Sequence, residues 1–186
     1  MMEMQEPYRS EFARLVMSGA GARDIHDSEE TGSYDSVAAF EASERFVQRE
    51  LDRVEMHARS LCIPLSRRVG TTRRILDVGC GTGGTTIALA LSDLEPDEVV
   101  GLDASALAVN AARVRAQGHG LTPPKVAFVH VAAGAMFPFA AGCFDMVTCV
   151  SVLEFVSTAG GREALMAEML RCSSRAVTCT WQRRIR

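Results

Sequence analysis

The sequence predicts an α/β domain with a doubly wound, mostly parallel sheet and helices on both of its faces. Three observations lead to this fold class. Short apolar runs alternate with longer amphipathic segments between residues 73 and 181. A glycine-rich segment directly follows the first apolar run, and the second run ends on an acidic residue. Such alternation is typical of parallel sheets, because each parallel strand needs a crossover connection before the next one begins.

The N-terminal third is predicted to contain two parts. Residues 1–33 are polar, and we expect them to form an irregular segment. From residue 34 to residue 65, apolar side chains recur at spacings of three, four and seven, which predicts a helix with one apolar face. We expect this helix to belong to a single domain, residues 34–186, whose α/β core spans residues 73–181.

The core is predicted to contain five strands and three helices. Each strand is a short apolar run, as expected for strands buried on both faces. The predicted strands are residues 73–78, 98–103, 125–131, 144–151 and 175–181, and the predicted helices are residues 85–92, 105–117 and 160–173.

Composition excludes several classes of partner. The chain has 186 residues, of which 47% are hydrophobic, and a net charge of −3. That charge gives no general attraction to nucleic acid or to an anionic membrane, so we expect neither. The first ten residues lack the basic and apolar regions of a signal peptide. The six cysteines show no metal-ligand spacing. We therefore expect a cytoplasmic protein with reduced thiols and no metal.

The segment after the first strand reads DVGCGTGG, residues 77–84. Its glycines permit sharp turns and close approach of a ligand to the backbone. Ligands of doubly wound sheets bind beyond the carboxyl ends of the strands, so this loop should lie beside Asp103, at the end of the second strand. Asp103 follows Gly79 by 24 residues, near the ~20 typical of a carboxylate that binds ribose hydroxyls.

Asp77 distinguishes between two kinds of ligand. A pyrophosphate close to its carboxylate would be repelled, whereas a cation would be attracted. S-Adenosylmethionine carries an ammonium and a sulfonium, together with a carboxylate that N–H groups at a helix start can bind. The residues therefore favour S-adenosylmethionine, or its product S-adenosylhomocysteine, over a nicotinamide dinucleotide.

Residues 75 to about 180 resemble the class I S-adenosylmethionine-dependent methyltransferases, which have a Rossmann-like fold. The similarity is carried by ILDVGCGTGG, VVGLDAS, MFPFAAGCFDMVTCVSVLEFV and EALMAEMLRC. It implies that the glycine loop borders the methionine part, that Asp103 binds the ribose, and that residues 151 and 152 line the methyl-transfer cleft. The implied cofactor-binding residues are Asp77, Gly79, Cys80, Gly81, Gly83, Asp103, Ala104, Ala133, Gly134, Ser151 and Val152, with Cys80 as a small packed residue of the loop.

Two features depart from the family pattern. Ala133 stands where the family usually has an acid that binds the adenine amino group, which leaves this role to backbone groups near Ala133 and Gly134. The family pattern also continues past the fifth strand with an antiparallel hairpin, which this sequence is expected to lack because it ends at WQRRIR. We therefore expect residues 176–181 to form an edge that pairs with a second copy or is covered by residues before Tyr34.

We interpret the sequence as an S-adenosylmethionine-dependent methyltransferase acting on an N, O or C atom, most simply of a small molecule. A protein acceptor, a non-catalytic partner subunit of the same fold and an NAD-dependent oxidoreductase stay open as alternatives. By the same resemblance, Glu154 is the candidate general base, because it lies just past the fourth strand, where the family often has substrate-side groups. A surface or helix-capping acid is the alternative interpretation. The catalytic residues are otherwise unassigned.

Overall fold

A computed structural model describes residues 4–17, 45, 48–49, 51–52 and 73–180 of the chain. The main helices and strands of this part alternate along the chain, except that the third strand is followed by the fourth with no helix between them. In order they are α1 (Tyr8–Met17), β1 (Arg74–Val78), α2 (Gly84–Leu91), β2 (Glu98–Asp103), α3 (Ala106–Gly118), β3 (Val126–His130), β4 (Phe144–Val150), α4 (Ala159–Cys172) and β5 (Ser173–Thr180), with a turn of 3-10 helix, Leu153–Phe155, after β4.

The five strands form one parallel sheet in the order β3-β2-β1-β4-β5. The chain moves outward from β1 through β2 to β3 and then returns to place β4 on the other side of β1. This reversal makes β1 the switch point, where ligands of such sheets bind. The predicted fold class is confirmed.

Successive residues of each strand point to opposite faces of the sheet, so they contribute to two separate hydrophobic clusters, one on each face. On one face, Ile75 and Val99 pack with Ile87 of α2 and Val109 of α3. The second cluster joins the strands to α4. It contains Leu76, Val100, Val147, Met169 and Cys172. Burial on both faces explains why the strands read as continuous apolar runs in the sequence.

The prediction of an irregular segment at residues 1–33 is wrong for Tyr8–Met17, which form α1. Phe12 and Leu15 are buried on one face of this helix, together with Ala111 of α3. The guanidinium of Arg115, itself buried in α3, lies 5.1 Å from the centroid of the Phe12 ring. Two buried apolar positions in a short polar segment are enough to dock a helix, but they give little periodicity to read.

The helix predicted at residues 34–65 falls mostly outside the described residues. Residues 45, 48–49 and 51–52 are described, and they are helical. The side-chain amide of Gln48 donates to Asp52 Oδ1 at 3.0 Å, a contact typical of one helix turn. Leu51 packs against the cluster under α2 and α3.

Within the described residues, β5 has a neighbouring strand, β4, on one side. Helix α1 packs on α3, the helix that connects β2 to β3. It therefore does not cover β5. Residues 1–3 and 18–33, and residue 181, lie outside the described residues. Self-association through the β5 edge stays a prediction.

No helix in the described ranges combines the length and apolar character needed to cross a membrane.

Candidate functional site

The glycine loop is joined to the carboxyl end of β2. The backbone N–H groups of Gly79 and Cys80 both donate to the carbonyl of Leu102, at 2.7 and 3.0 Å. Gly79, Gly81 and Gly83 have φ values of 73°, 52° and 87°. These left-handed conformations are readily adopted by glycine and rarely by other residues. Cys80 is buried in the cluster under α2.

The residues after β4 lie against the same loop. A Cβ atom added to Gly79 would stand 2.2 Å from Val152 Cγ2, so Val152 occupies the space that Gly79 leaves open. Ser151 has a φ of 52°, an uncommon conformation for a residue with a side chain. Such backbone conformations concentrate at binding sites. The structure thus brings the predicted cleft residues to the predicted loop.

The carboxylate of Asp103 connects the glycine loop to α3. Its Oδ2 accepts a hydrogen bond from the N–H of Gly81 at 2.9 Å, and its Oδ1 accepts one from the N–H of Ser105 at 2.8 Å. Ser105 Oγ in turn caps α3 by accepting from the N–H of Ala108. Because each carboxylate oxygen has more than one lone-pair site, Asp103 keeps acceptor capacity for ligand hydroxyls.

Asp77 is buried, with 1% of its surface exposed. The hydroxyl of Thr86, on α2, donates to Asp77 Oδ2 at 2.6 Å. The hydroxyl of Thr148, on β4, donates to Asp77 Oδ1 at 3.0 Å. Asp77 therefore joins β1 to both α2 and β4, at the point where strand order reverses.

A glycine in β2 makes room for this network. Phe128, Gly101, Asp77 and Thr148 are neighbours in register on four adjacent strands. A Cβ atom added to Gly101 would stand 2.8 Å from Thr86 Oγ1 and 2.7 Å from Phe128 Cδ1. The missing side chain at position 101 therefore leaves the space through which Thr86 reaches Asp77.

The other predicted cofactor residues lie on the β3 side. His130 Nε2 is 3.2 Å from the carbonyl oxygen of Ala104. Ala133 and Gly134 are exposed in a turn closed by a hydrogen bond from the N–H of Ala135 to the carbonyl of Ala132. The segment begins beside the ribose candidate, since the N–H of residue 131 donates to the carbonyl of Asp103 at 3.0 Å.

The far end of this segment is held by α4. Glu168 and Arg171 form a two-pronged ion pair, with Nε to Oε1 and Nη2 to Oε2 both at 2.8 Å. The same guanidinium donates to the carbonyls of Phe139 and Phe137, at 2.7 and 3.0 Å. Glu168 also accepts from the N–H of Phe137 at 2.8 Å. We call Glu168 and Arg171 the α4 clamp.

The contacts of the α4 clamp change the pKa of the Glu168 carboxyl. The side-chain hydrogen bonds from Arg171, and then the backbone N–H of Phe137, lower the pKa of Glu168 to about 2. Both donors favour the ionised carboxylate over the neutral acid. Glu168 is therefore charged whenever the folded protein is near neutral pH.

Glu154, the candidate base, lies half-buried in the 3-10 turn directly after β4. Sequence reasoning missed four residues that organise the site: Thr86, Thr148, Glu168 and Arg171. The last two belong to a stretch that carried the family resemblance, but nothing in that stretch indicated their targets. In the described part of the chain, no three His, Cys, Asp or Glu side chains group as metal ligands would.

Comparison with known families decides the identity of this fold. A protein-family model described as "Methyltransferase domain" matches residues 75–175. This chain belongs to the methyltransferase domain family. The range that the family model matches runs from β1 into β5. It includes every predicted site residue. The resemblance inferred from the sequence is confirmed.

Two curated relatives are named ubiquinone biosynthesis O-methyltransferase. The one from Aromatoleum aromaticum is 33% identical over 99 residues, covering 53% of this chain and 40% of the relative. The one from Methylococcus capsulatus is 37% identical over 84 residues, covering 45% of this chain and 33% of the relative. This methyltransferase-family chain thus spans two fifths or less of these relatives. The crystal structure of YcgJ from Bacillus subtilis matches with a TM-score of 0.51 and 25% identity, over 68% of this chain and 46% of YcgJ.

Replacing Thr86 with valine tests the buried network. The substitution Thr86→Val keeps the volume but leaves Asp77 Oδ2 without this hydroxyl donor. We expect a loss of about 1.5–3 kcal/mol in the free energy of unfolding, the range for hydrogen bonds to charged groups, measured by urea denaturation. Thr122→Val, at an exposed position, is the matched control. A loss below about 0.5 kcal/mol, as for surface substitutions, would contradict the assigned role of Thr86.

The lowered pKa of Glu168 predicts an acid-dependent contribution to stability. A carboxyl whose folded pKa lies below its unfolded value, ordinarily 4.5, stabilises the fold above the unfolded pKa. That contribution should fade as pH falls from about 4.5 towards 2. Urea denaturation should therefore show that Glu168→Gln lowers the free energy of unfolding relative to wild type at pH 6, and that this difference shrinks near pH 3. Glu163, exposed on the same helix, provides the control, and Glu163→Gln should not show this pH dependence. A difference that stays constant with pH would exclude this titration.

Proposed function

We propose that this domain binds S-adenosylmethionine across the carboxyl ends of β2, β1 and β4 and transfers its methyl group to a small molecule. The observation that carries the proposal is the junction of Asp103 with the N–H of Gly81. It places a hydroxyl-binding carboxylate at the edge of a glycine loop. Membership of the methyltransferase family agrees with a ligand that contains both ribose and an amino acid.

The order of the strands favours one orientation of the cofactor. With the ribose on Asp103, the adenine would lie towards β3, near Ala104 and the turn at residues 132–135. The methionine part would lie along the glycine loop towards β1 and β4. Helix α2 begins after Gly83. The N–H groups in the first turn of a helix lie outside its internal hydrogen-bond ladder, so those of α2 can bind the ligand carboxylate.

Asp77 would act from beneath the loop. Its carboxylate is buried and receives two threonine hydroxyls, so it does not present an open face to a ligand. Its charge still favours a cation above the loop and disfavours a pyrophosphate, because charge interactions are weakly screened in a partly dry site. This supports the preference for a sulfonium ligand over a dinucleotide.

When bound, S-adenosylmethionine supplies an electrophilic methyl group. The chain's contribution is then to align the acceptor with the methyl group and to exclude water. Ser151 and Val152 would form the wall next to the reacting atoms, and the side chain of Val152 lies against Gly79. Glu154, in the turn that follows, is the proposed base for an acceptor that carries a proton.

The acceptor atom is proposed to be an oxygen. Two curated relatives are named O-methyltransferases of ubiquinone biosynthesis, which supports a small-molecule hydroxyl over a nitrogen or carbon. For the location of the protein, a cytoplasmic compartment is proposed. The five described cysteines are free thiols, which agrees with a reducing compartment.

Ligand binding tests the proposed function directly. Isothermal titration calorimetry of the full chain should show S-adenosylhomocysteine binding and no measurable binding of NAD. The alternatives separate in the same experiment. Tighter binding of NAD would favour an oxidoreductase. Binding of S-adenosylhomocysteine without methyl transfer from S-adenosylmethionine to any small hydroxyl compound tested would favour a non-catalytic partner subunit.

Substitution of Asp103 tests the placement of the ribose. Asp103→Ala removes the acceptor for the ribose hydroxyls and should weaken S-adenosylhomocysteine binding by roughly 1.5–3 kcal/mol. Asp103→Asn retains one acceptor oxygen and should recover part of this loss. The exposed Asp93 provides the control, Asp93→Ala. Unchanged affinity in Asp103→Ala would mean that the ribose is bound elsewhere.

A further inference from the structure

The segment at residues 132–136 is exposed, and both of its ends are tied to other elements. At its start, the N–H of residue 131 bonds to the carbonyl of Asp103. At its end, Phe137 is buried in the cluster under α4 and bonds to the α4 clamp through both its N–H and its carbonyl. The segment therefore spans from the ribose candidate to α4 as a short bridge.

We propose that Glu168 and Arg171 are positioning residues for recognition of the adenine base. The inference rests on the proposed function, since it assigns the base to the bridge at residues 132–136. Neither clamp residue is assigned to touch the cofactor. Their role is to fix the backbone of the bridge relative to Asp103, so that its N–H and C=O groups meet the edge of the base.

Ala133 makes this positioning important in this chain. An acidic side chain at that position could swing towards the exocyclic amino group of adenine and tolerate small shifts of the backbone. A methyl side chain has no hydrogen-bonding atom, so the backbone of the bridge has to supply the contacts. Backbone groups bind well only within a narrow range of distance and angle. Accuracy therefore depends on what holds the bridge.

The clamp is built for holding backbone in one position. Arg171 uses one guanidinium to bond Glu168 twice and two loop carbonyls once each. Its own backbone carbonyl also accepts from the N–H of Gly142, further along the same loop. The planar fork of arginine can bind these groups together, whereas the ammonium of lysine is a point charge on a flexible stem. Arg171→Lys should therefore retain the charge and lose the fixed geometry.

A base-selectivity experiment tests the proposal. Calorimetry of wild type, Arg171→Lys and Glu168→Gln would compare S-adenosylhomocysteine with its hypoxanthine analogue, S-inosylhomocysteine, in which a carbonyl replaces the amino group. Wild type should prefer adenine. If the bridge spends about a tenth of its time correctly placed in the variants, affinity for S-adenosylhomocysteine falls about tenfold. The preference for adenine should fall with it, which a general loss of stability would not cause.

Hydrogen exchange provides a second measure without ligand. The amide of Ala135, which bonds to Ala132 within the bridge, should exchange faster in both variants, while amides of β1 stay protected. Arg113→Lys is the matched control, because Arg113 also donates from a helix to a backbone carbonyl, that of Phe128 in β3. It should change neither the selectivity nor the exchange of Ala135.

The outcomes separate the inference from the proposed function. If wild type fails to bind S-adenosylhomocysteine, the proposed function is overturned, and the inference with it. If wild type binds normally while both clamp variants keep the affinity, the adenine preference and the protection of Ala135, the inference alone is overturned. Because two variants are measured, failure of one to fold still leaves the test in the other.

Discussion

The buried carboxylate of Asp77 is the constraint on which the site depends. Burial of a charge is costly unless the charge is hydrogen-bonded. Asp77 meets this requirement with hydroxyls from α2 and from β4, so its strand, the helix after the glycine loop and the strand across the switch point are fixed relative to one another. The glycine loop leaves β1 directly after this fixed residue, and its path is further defined by hydrogen bonds of Gly79 and Cys80 to the carbonyl of Leu102. That path brings Gly79 under Val152 and Gly81 to Asp103.

Hydrogen bonds from charged side chains to backbone groups hold much of the site together. Asp103 binds the N–H group of Gly81 in the loop and that of Ser105, the N-cap residue of α3, and Arg171 binds carbonyls of the segment before β4. In both cases a charged side chain on a regular element orders irregular backbone nearby. Charge-assisted hydrogen bonds suit this purpose, because they are stronger and more directional than neutral ones. The proposed ligand-facing surface can therefore be built from small residues such as glycine and alanine.

The sequence allowed the strands, the glycine loop and Asp103 to be predicted, because each depends on local pattern: apolar runs, turn glycines and an acid at a strand end. The threonine network could not be predicted, since Thr148 lies 71 residues from Asp77 and reads as an ordinary strand residue. Only the register of β1 with β4 brings them together. The clamp is similar: the pairing of Glu168 with Arg171 is local, whereas the carbonyls it holds lie more than 30 residues away. Helix α1 was missed because it rests on few apolar residues.

The glycine at position 101 also has a consequence for how sequences of this fold can diverge. Every substitution there adds at least a Cβ atom, which would crowd both the Phe128 ring and the Thr86 hydroxyl. The ring can be reduced without loss of the charge network, but the hydroxyl cannot. Loss of volume at position 128 would relieve the contact with the ring but would leave the contact with Thr86 Oγ1 at 2.8 Å. A larger residue at position 101 therefore requires both a smaller residue at position 128 and a shift of the Thr86 hydroxyl, so we expect substitutions at these three positions to depend on one another.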